Sequence, residues 1–243
     1  LILKRHEEFT HLPKVKFNLV KADDVVKLGD YFEVEFFHVN HNIFDTVGVA
    51  IHTPAGVVVH TADFKFDDHP VGDEPADYAK MEALGKAGVA LLLSDSTGAM
   101  RTGHSISERD IEENLEEIFV KSHGRIICAT FSSLISRLQQ LIHLAEKYKR
   151  KVAIDGFSMK SNVALAQELG YLKIPKGLMI DIKAINDYPD DKVLFLCTGA
   201  QGEGGAVLMR VATQEHRYVR LKAGDSVIFS SSVIPGNERT VQS

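Results

Sequence analysis

The second half of the chain alternates between short apolar segments and longer amphipathic ones. The apolar segments cover residues 126–130, 151–155, 193–198 and 226–230. Between them, apolar residues recur at helical spacing, as in Leu134, Leu138, Leu141, Ile142 and Ala145. Buried strands that alternate with amphipathic helices are typical of a sheet whose strands are mainly parallel. We therefore predict an α/β fold for this half.

The first hundred residues favour β structure of another kind. Candidate strands cover residues 31–39, 46–52 and 56–62, followed by a helix at 77–86 and an apolar strand at 89–93 that we expect to be buried. The pattern changes near residue 100, which predicts two domains, residues 1–98 and 99–243. The first residues resemble the middle of a helix and have no signal-peptide layout, so we expect further chain upstream.

Composition narrows the function classes. The formal net charge of −5 argues against a broad basic surface for nucleic acid, although a local groove for a single strand remains compatible with it. No apolar run approaches the roughly 20 residues that span a bilayer, so no membrane association is expected. Cys128 and Cys197 lie inside apolar segments, which predicts buried, reduced thiols and fits a cytoplasmic protein.

Four segments rich in Ser, Thr and Gly follow the predicted parallel strands, at the edge where such sheets bind ligands. Their hydroxyl and backbone N–H groups suit a phosphodiester backbone, although turns and helix caps use the same residues. The long Gly-rich segment has neither a Walker A nor a GxGxxG pattern. The candidate substrate-binding residues are Ser132, Ser158, Gly199, Gln201, Gly202, Glu203, Ser230, Ser232 and Asn237.

Three further candidates follow predicted strands in the first half. His41 and Asp63 offer an imidazole and a carboxylate, which suit Zn²⁺ or Mn²⁺, and a carboxylate can bridge two metals. Asp95 follows the apolar strand, where it can orient a ligating histidine or handle a proton. Each residue alone is more often structural, and Asp95 has a turn cap as its alternative role.

These residues stand in stretches that closely resemble the ribonuclease J family, in the β-CASP branch of the metallo-β-lactamase superfamily. The matching stretches are Val39-Asn40-His41, Asp45-Thr46-Val47-Gly48, residues 61–67, residues 92–97, residues 198–203 and residues 230–238. The resemblance implies part of a metallo-β-lactamase αββα sandwich, followed by most of a β-CASP domain that is incomplete at its C-terminus.

The resemblance also implies a function. His41 would be a metal ligand, Asp63 the carboxylate that bridges two divalent ions (Zn or Mn), and Asp95 the acidic residue of the first β-CASP motif. The family degrades and processes RNA in the cytoplasm, as a 5′→3′ exonuclease and an endonuclease, and favours single strands with a 5′-monophosphate. A homodimer or homotetramer is expected.

The chain departs from the family pattern in several places. The motif His-x-His-x-Asp-His, which supplies most metal ligands, does not occur in it, and the later β-CASP histidine motifs are absent too. Asn42-Ile43-Phe44-Asp45 replaces Ser-Ile-Pro-Asp, Ala62 replaces Gly, and Gly204-Gly205 replaces Pro-Met. We therefore expect this exact chain to be inactive, and a catalytically silent RNA-binding fragment is the alternative. A hydrolase of small esters or lactams is a third possibility, but such substrates need no long groove.

Overall fold

The computed structural model describes residues 18–41, 43–234 and 236–242. The chain divides into two compact units, of which the first ends at Glu108 and the second begins at Arg109. The domain boundary between residues 98 and 99, which follows from the change of sequence pattern near residue 100, stays a prediction. The expectation about the first residues of the chain falls outside the described residues.

The first unit is built on a five-stranded sheet in the order β1-β2-β3-β4-β5. Its elements are β1 (Val25–Leu28), β2 (Phe32–His38), β3 (Val47–Thr53), β4 (Gly56–His60), α1 (Tyr78–Ala87) and β5 (Leu91–Leu93). Strands β1 to β4 pair antiparallel in sequence order, and β5 adds parallel to β4. Three of the five strands and α1 match the predicted segments closely, whereas β1 had no prediction.

Packing in this unit centres on Phe37, which is 1% exposed and lies in β2. Gly48 faces it from β3, and a Cβ at Gly48 would come within 2.3 Å of the Phe37 ring. Helix α1 begins after Asp77, whose carboxylate accepts a hydrogen bond from the N–H of Lys80 at 2.9 Å. Its Leu84 is buried against the sheet.

The expectation of a buried strand at residues 89–93 is wrong. Strand β5 forms, but the side chains of Leu91, Leu92 and Leu93 are 50%, 59% and 46% exposed. The reason is topological, because β5 is the edge of the sheet and β4 is its one neighbour among the described strands. An apolar composition like that of β5 is typical of a strand that is buried by packed elements on both faces of its sheet, which is why the sequence predicted burial.

The second unit confirms the predicted α/β fold. Its four strands lie in the order β7-β8-β6-β9, and every pair is parallel. The elements from the end of the first unit onward are α2 (Glu108–Lys121), β6 (Ile126–Ala129), α3 (Ile135–Lys147), β7 (Lys151–Asp155), α4 (Phe157–Glu168), β8 (Val193–Cys197), α5 (Val207–Ala212), β9 (Ser226–Phe229) and α6 (Glu238–Gln242). Two 3₁₀ turns, Ile182–Asp187 and Asp190–Lys192, precede β8. Within the described residues, no helix combines the length and apolarity needed to cross a membrane.

Both cysteines are buried and free, as predicted. Cys128 pairs in register with Leu196 and Cys197 with Ala129, which places the two thiols on opposite faces of the sheet. Burial raises the pKa of Cys128 to about 12 and raises that of Cys197 as well. Neither thiol is therefore a nucleophile at neutral pH.

Two buried arginines hold the amino ends of the parallel strands. Arg125 precedes β6 and donates from Nε and Nη2 to the Asp225 carboxylate before β9, at 2.9 and 2.6 Å. Arg150 precedes β7 and donates to the carbonyls of Ser122, Gly124 and Val193. Burial lowers the pKa of Arg150. These contacts fix neighbouring strands relative to one another at the amino edge of the sheet. The two arginines therefore take no part in the carboxyl edge, where the candidate binding residues lie.

Candidate functional site

The three candidate catalytic residues lie at one edge of the first sheet. Strands β2 and β4 are both antiparallel to β3, and β5 is parallel to β4, so β2, β4 and β5 run in the same direction. His41, Asp63 and Asp95 follow the carboxyl ends of these three strands. The topology therefore collects them on one edge, although they are far apart in the sequence.

A backbone bridge beyond the strands aligns His41 with Asp63. Asn40 and Lys65 form an antiparallel bridge, in which the Lys65 N–H donates to the Asn40 carbonyl at 2.9 Å. The bridge places the two ligand-bearing segments side by side, and His41 Nε2 lies 3.8 Å from Asp63 Oδ2. The Asp63 side chain is 77% exposed and that of His41 is 29% exposed. Both side chains are thus accessible to a ligand.

Asp95 is held beside this pair. Its N–H donates to Thr61 Oγ1 at 3.0 Å, and its Oδ1 accepts from the Thr97 N–H at 2.8 Å. Hydrogen bonds from the backbone and hydroxyl of Thr97 hold the pKa of Asp95 below its ordinary value, and the Phe64 N–H and the charge of His41 lower it further. Asp95 is therefore ionised at neutral pH, and Thr61 and Thr97 hold it in place on the same edge as His41 and Asp63.

The donor types fit the implied metals, but their number does not. Imidazole nitrogen and carboxylate oxygen are ordinary ligands of Zn²⁺ and Mn²⁺. A catalytic zinc ion takes three protein ligands, and the described part of the chain contains no group of three or more His, Cys, Asp or Glu side chains close enough to hold a metal. These residues alone therefore cannot hold a metal pair, and the predicted two-metal site stays a prediction.

The candidate substrate-binding residues gather at the carboxyl edge of the second sheet, because all four strands there are parallel. Ser132 follows β6 and accepts two hydrogen bonds from Asn162 Nδ2, at 3.0 Å to Oγ and 2.8 Å to its carbonyl. The apolar pattern predicts a helix at residues 162–169, but α4 begins five residues earlier, at Phe157, so Ser158 lies in its first turn. Gly156, with φ of 110°, makes the abrupt turn from β7 into α4.

Gln201 is buried rather than presented to a ligand. Its side chain is 3% exposed, and its Nε2 donates to Ser231 Oγ at 3.1 Å and to the Ser232 carbonyl at 2.8 Å. Its Oε1 accepts from the Ile234 N–H at 2.7 Å and from Asn237 Nδ2 at 3.5 Å. Gln201 therefore joins the loop after β8 to the loop after β9 and positions the backbone of Ser232 and the side chain of Asn237.

Some of the remaining candidate binding residues are buried and hold the loops in place, and others are exposed to solvent. Gly199 and Gly202 have positive φ, and a Cβ at Gly202 would lie 2.7 Å from the Thr240 carbonyl oxygen. Ser230 is buried and accepts a hydrogen bond from Arg137. Glu203 is exposed, and its carboxylate accepts from the N–H of Gln201 at 3.1 Å. The groups left facing solvent at this edge include Glu203 and Ser232.

Arg137 and Asn162 had no predicted role, yet both hold these loops. Arg137 is 4% exposed and links α3 to Ser230 after β9. It stands three residues after Leu134 and four before Leu141, on the apolar face of its helix. A charged residue at an inward position was the signal that could have identified it.

Comparison with known proteins matches this sheet and its loops to a defined domain. The family described as "Ribonuclease J, beta-CASP domain" matches residues 123–243. Ribonuclease J of Thermus thermophilus is 43% identical over 243 residues, or 99% of this chain and 42% of that protein. Ribonuclease J 1 of Streptococcus pyogenes is 48% identical over 86% of this chain and 37% of that protein. The chain belongs to the ribonuclease J family.

The chain spans less than half the length of these ribonuclease J relatives. A relative from Helicobacter pylori strain J99 is 41% identical over 93% of this chain but only 32% of its own length. The fold also resembles that of an Enterococcus faecalis V583 protein of unknown function, whose crystal structure aligns with a TM-score of 0.53. That alignment is 16% identical and covers 88% of this chain and 57% of the other.

Proposed function

We propose that this chain is part of a ribonuclease that hydrolyses phosphodiester bonds of single-stranded RNA. The observation that carries the proposal is the match of 99% of the chain to a ribonuclease J at 43% identity. The meeting of His41 and Asp63 at one sheet edge supports it, since both belong to stretches that resemble the family's metal-binding motifs.

In the proposed roles, Asp63 and His41 would hold divalent ions, with the Asp63 carboxylate as a shared ligand and the His41 imidazole as a ligand of one ion. Zn²⁺ or Mn²⁺ bound there would activate a water molecule and stabilise negative charge on the phosphate. Further ligands from outside the described residues would be needed to complete the set. Asp95, ionised and on the same sheet edge as His41, would orient that imidazole and offer a place to hold a proton.

The second unit has the proposed task of binding RNA. Its parallel strands end in backbone N–H and hydroxyl groups that suit phosphate. Gln201 and Arg137 hold these loops in place before any ligand arrives, which lowers the entropy lost on binding. A preference for a 5′-monophosphate, exonuclease and endonuclease action, assembly into homodimers or homotetramers and a cytoplasmic location all form part of the proposal, from the family resemblance.

A catalytically silent RNA-binding fragment is the second candidate function. One observation favours it: the described residues contain fewer than three grouped metal ligands. The two candidates share RNA binding and differ in cleavage, so one experiment can separate them.

The experiment grafts this chain into the Thermus thermophilus relative in place of the matching segment. We expect the graft to cleave single-stranded RNA with Mn²⁺ or Zn²⁺. Asp63→Asn in the graft should lower the rate more than about a hundredfold, because even residues that only orient ligands contribute 10–100-fold. Asp68→Asn is the matched control. It replaces an exposed carboxylate that accepts a hydrogen bond from the Tyr78 hydroxyl, and it should leave the rate unchanged.

Full activity of the Asp63→Asn graft would exclude the metal-bridging role. A folded graft that binds RNA and does not cleave it, beside an active relative, would favour the silent fragment. A graft that neither binds nor cleaves RNA would contradict both candidates.

A further inference from the structure

The aromatic side chain that stands out at the carboxyl edge of the second sheet is Phe157. It is 91% exposed, and the next most exposed aromatic residue in the described part of the chain, Tyr31, is 69% exposed. At 91% exposed, the ring buries almost no apolar surface within this unit, so the packing of the unit leaves it available to a ligand.

The exposure of Phe157 follows from a firmly held helix rather than from a loose loop. Phe157 is the first residue of α4, whose Met159, Val163 and Ala166 are 0%, 5% and 3% exposed. At 3.6 residues per turn, Phe157 lies about 160° around the helix from Met159. The buried face of α4 therefore directs Phe157 outward.

Two contacts fix the first turns of α4 on the sheet. A Cβ at Gly156 would lie 2.8 Å from Thr198 Oγ1, so the chain passes close to the end of β8 immediately before Phe157. Further along the helix, Asn162 bonds to Ser132 in the loop after β6. The ring is thus held beside two of the loops that carry the candidate phosphate-binding groups.

We propose that Phe157 stacks on a base of single-stranded RNA while neighbouring hydroxyl and N–H groups contact its phosphates. The inference rests on the RNA-binding function proposed above and adds the base-contacting residue to it. Single-strand binding proteins combine such a groove with aromatic side chains on which bases stack. A phenyl ring has no hydrogen-bonding group, so the contact accepts every base without sequence preference.

The sequence contains no tryptophan, which allows a direct test on this chain. In a Phe157→Trp variant, fluorescence reports on this position alone. We expect quenching on titration with oligoadenylate and none with an abasic ribose-phosphate oligomer of the same length. Both titrations are repeated at several salt concentrations, because backbone contacts weaken with salt.

Affinity provides the second readout, measured by anisotropy of a labelled oligoadenylate. Phe157→Ala should weaken binding about five- to hundredfold, the range found for loss of one base–aromatic stack. Phe157→Leu, apolar but without a π face, should resemble Phe157→Ala, whereas Phe157→Trp should bind as well as the original chain. Tyr31→Ala removes another exposed ring, in the turn before β2, and should leave the affinity unchanged.

The outcomes separate the inference from the function beneath it. RNA binding that is equal in the original chain and in Phe157→Ala, with no quenching, would overturn the stacking role and leave RNA binding standing. A Phe157→Ala variant that loses self-association but keeps its RNA affinity would assign the ring to a second copy of the chain. Failure of the original chain to bind RNA would overturn both proposals.

Discussion

The two sheets present their candidate functional residues in opposite ways. At the edge of the first sheet, Asp63 is 77% exposed, and its separation from His41 is 3.8 Å, longer than a hydrogen bond. At the edge of the second, Gln201 is 3% exposed and bonds to residues 231, 232, 234 and 237. Hydrogen bonds among its own residues hold the second edge in place. At the first edge, the Asp63 carboxylate remains exposed and available to a ligand.

The strands behind these edges show the same contrast. Every side chain of β8, from Val193 to Cys197, is fully buried, whereas the three leucines of β5 are about half exposed. Similar apolar composition thus has two outcomes, because β8 lies inside its sheet and β5 at an edge. The free energy of unfolding should therefore respond strongly to substitutions in the second unit and weakly to substitutions at the edge of the first sheet that carries the candidate catalytic residues.

The largest effect is expected from the buried ion pair of the second unit. Arg125 and Asp225 have side chains that are 1% and 4% exposed, with a closest contact of 2.6 Å. Asp225→Ala removes the close partner charge of the buried guanidinium and leaves the Asp190 carboxylate at 3.9 Å, so the free energy of unfolding should fall by about 3–5 kcal/mol. Urea denaturation followed by circular dichroism measures this loss.

A matched control for this pair is Glu117→Ala, which removes an exposed partner of Lys121 and should cause no measurable loss. Replacing both buried partners, with Arg125→Leu and Asp225→Leu, should recover a large part of the lost stability, since an apolar pair carries no desolvation penalty. Equal midpoints for Asp225→Ala and Glu117→Ala would contradict the expectation.

A smaller loss of unfolding free energy is expected at Gln201, which both holds the loops together and lies in the proposed binding edge. Gln201→Leu keeps the volume but removes the partners of the Ser232 carbonyl and the Ile234 N–H, so we expect a loss of about 1–3 kcal/mol. RNA affinity should fall as well, because the loop after β9 loses its position. An unfolding curve like that of the original chain would show that the Gln201 contacts do not organise this edge.

The pH dependence of stability probes Asp155, at the end of β7. Burial works against ionisation of this carboxyl, but hydrogen bonds from Lys160, His216 and the Gly156 N–H outweigh it and hold the pKa at about 2. Because the folded pKa is below the unfolded value of 3.8, the stabilisation is complete above about pH 4 and is lost as the pH falls toward 2.

The difference in unfolding free energy between the original chain and Asp155→Asn should therefore be about 2 kcal/mol near pH 5. It should shrink toward zero between about pH 4 and pH 2, as measured by urea denaturation at each pH. A difference that stays constant over this range would show that the charge of Asp155 has no part in holding His216 and Lys160.

Local sequence patterns predicted most of the second sheet, because each strand there is apolar throughout and each helix has one apolar face. The inward positions Leu138, Leu141 and Ala145 are all fully buried. The patterns failed where burial depends on sheet position, as in β5, and where a helix begins without a capping side chain. Helix α4 starts at Phe157 after Gly156, which leaves no Ser, Thr, Asp or Asn signal at its start.

For the candidate site, the sequence identified residue types but not their partners. The Asn40–Lys65 bridge that aligns His41 with Asp63 is a contact between two irregular segments, and no local period encodes it. Likewise, Gln201 and Ser230 look like exposed loop residues in sequence but are buried by neighbouring loops. Long-range backbone geometry decides these cases, and it becomes visible only in the folded chain.

The smallest effect on stability is expected for Asp63, the residue with the largest proposed effect on cleavage. Its carboxylate is 77% exposed and lies 3.8 Å from His41 Nε2, so Asp63→Asn should change the free energy of unfolding by less than about 0.5 kcal/mol. Asp77→Ala, which removes the cap of α1 in the same unit, should lower it by about 1 kcal/mol and shows that the assay can detect such losses. A loss above about 2 kcal/mol in Asp63→Asn would make Asp63 a structural residue. The contrast between the two edges would then fail, because the first edge would also be held together by its own contacts.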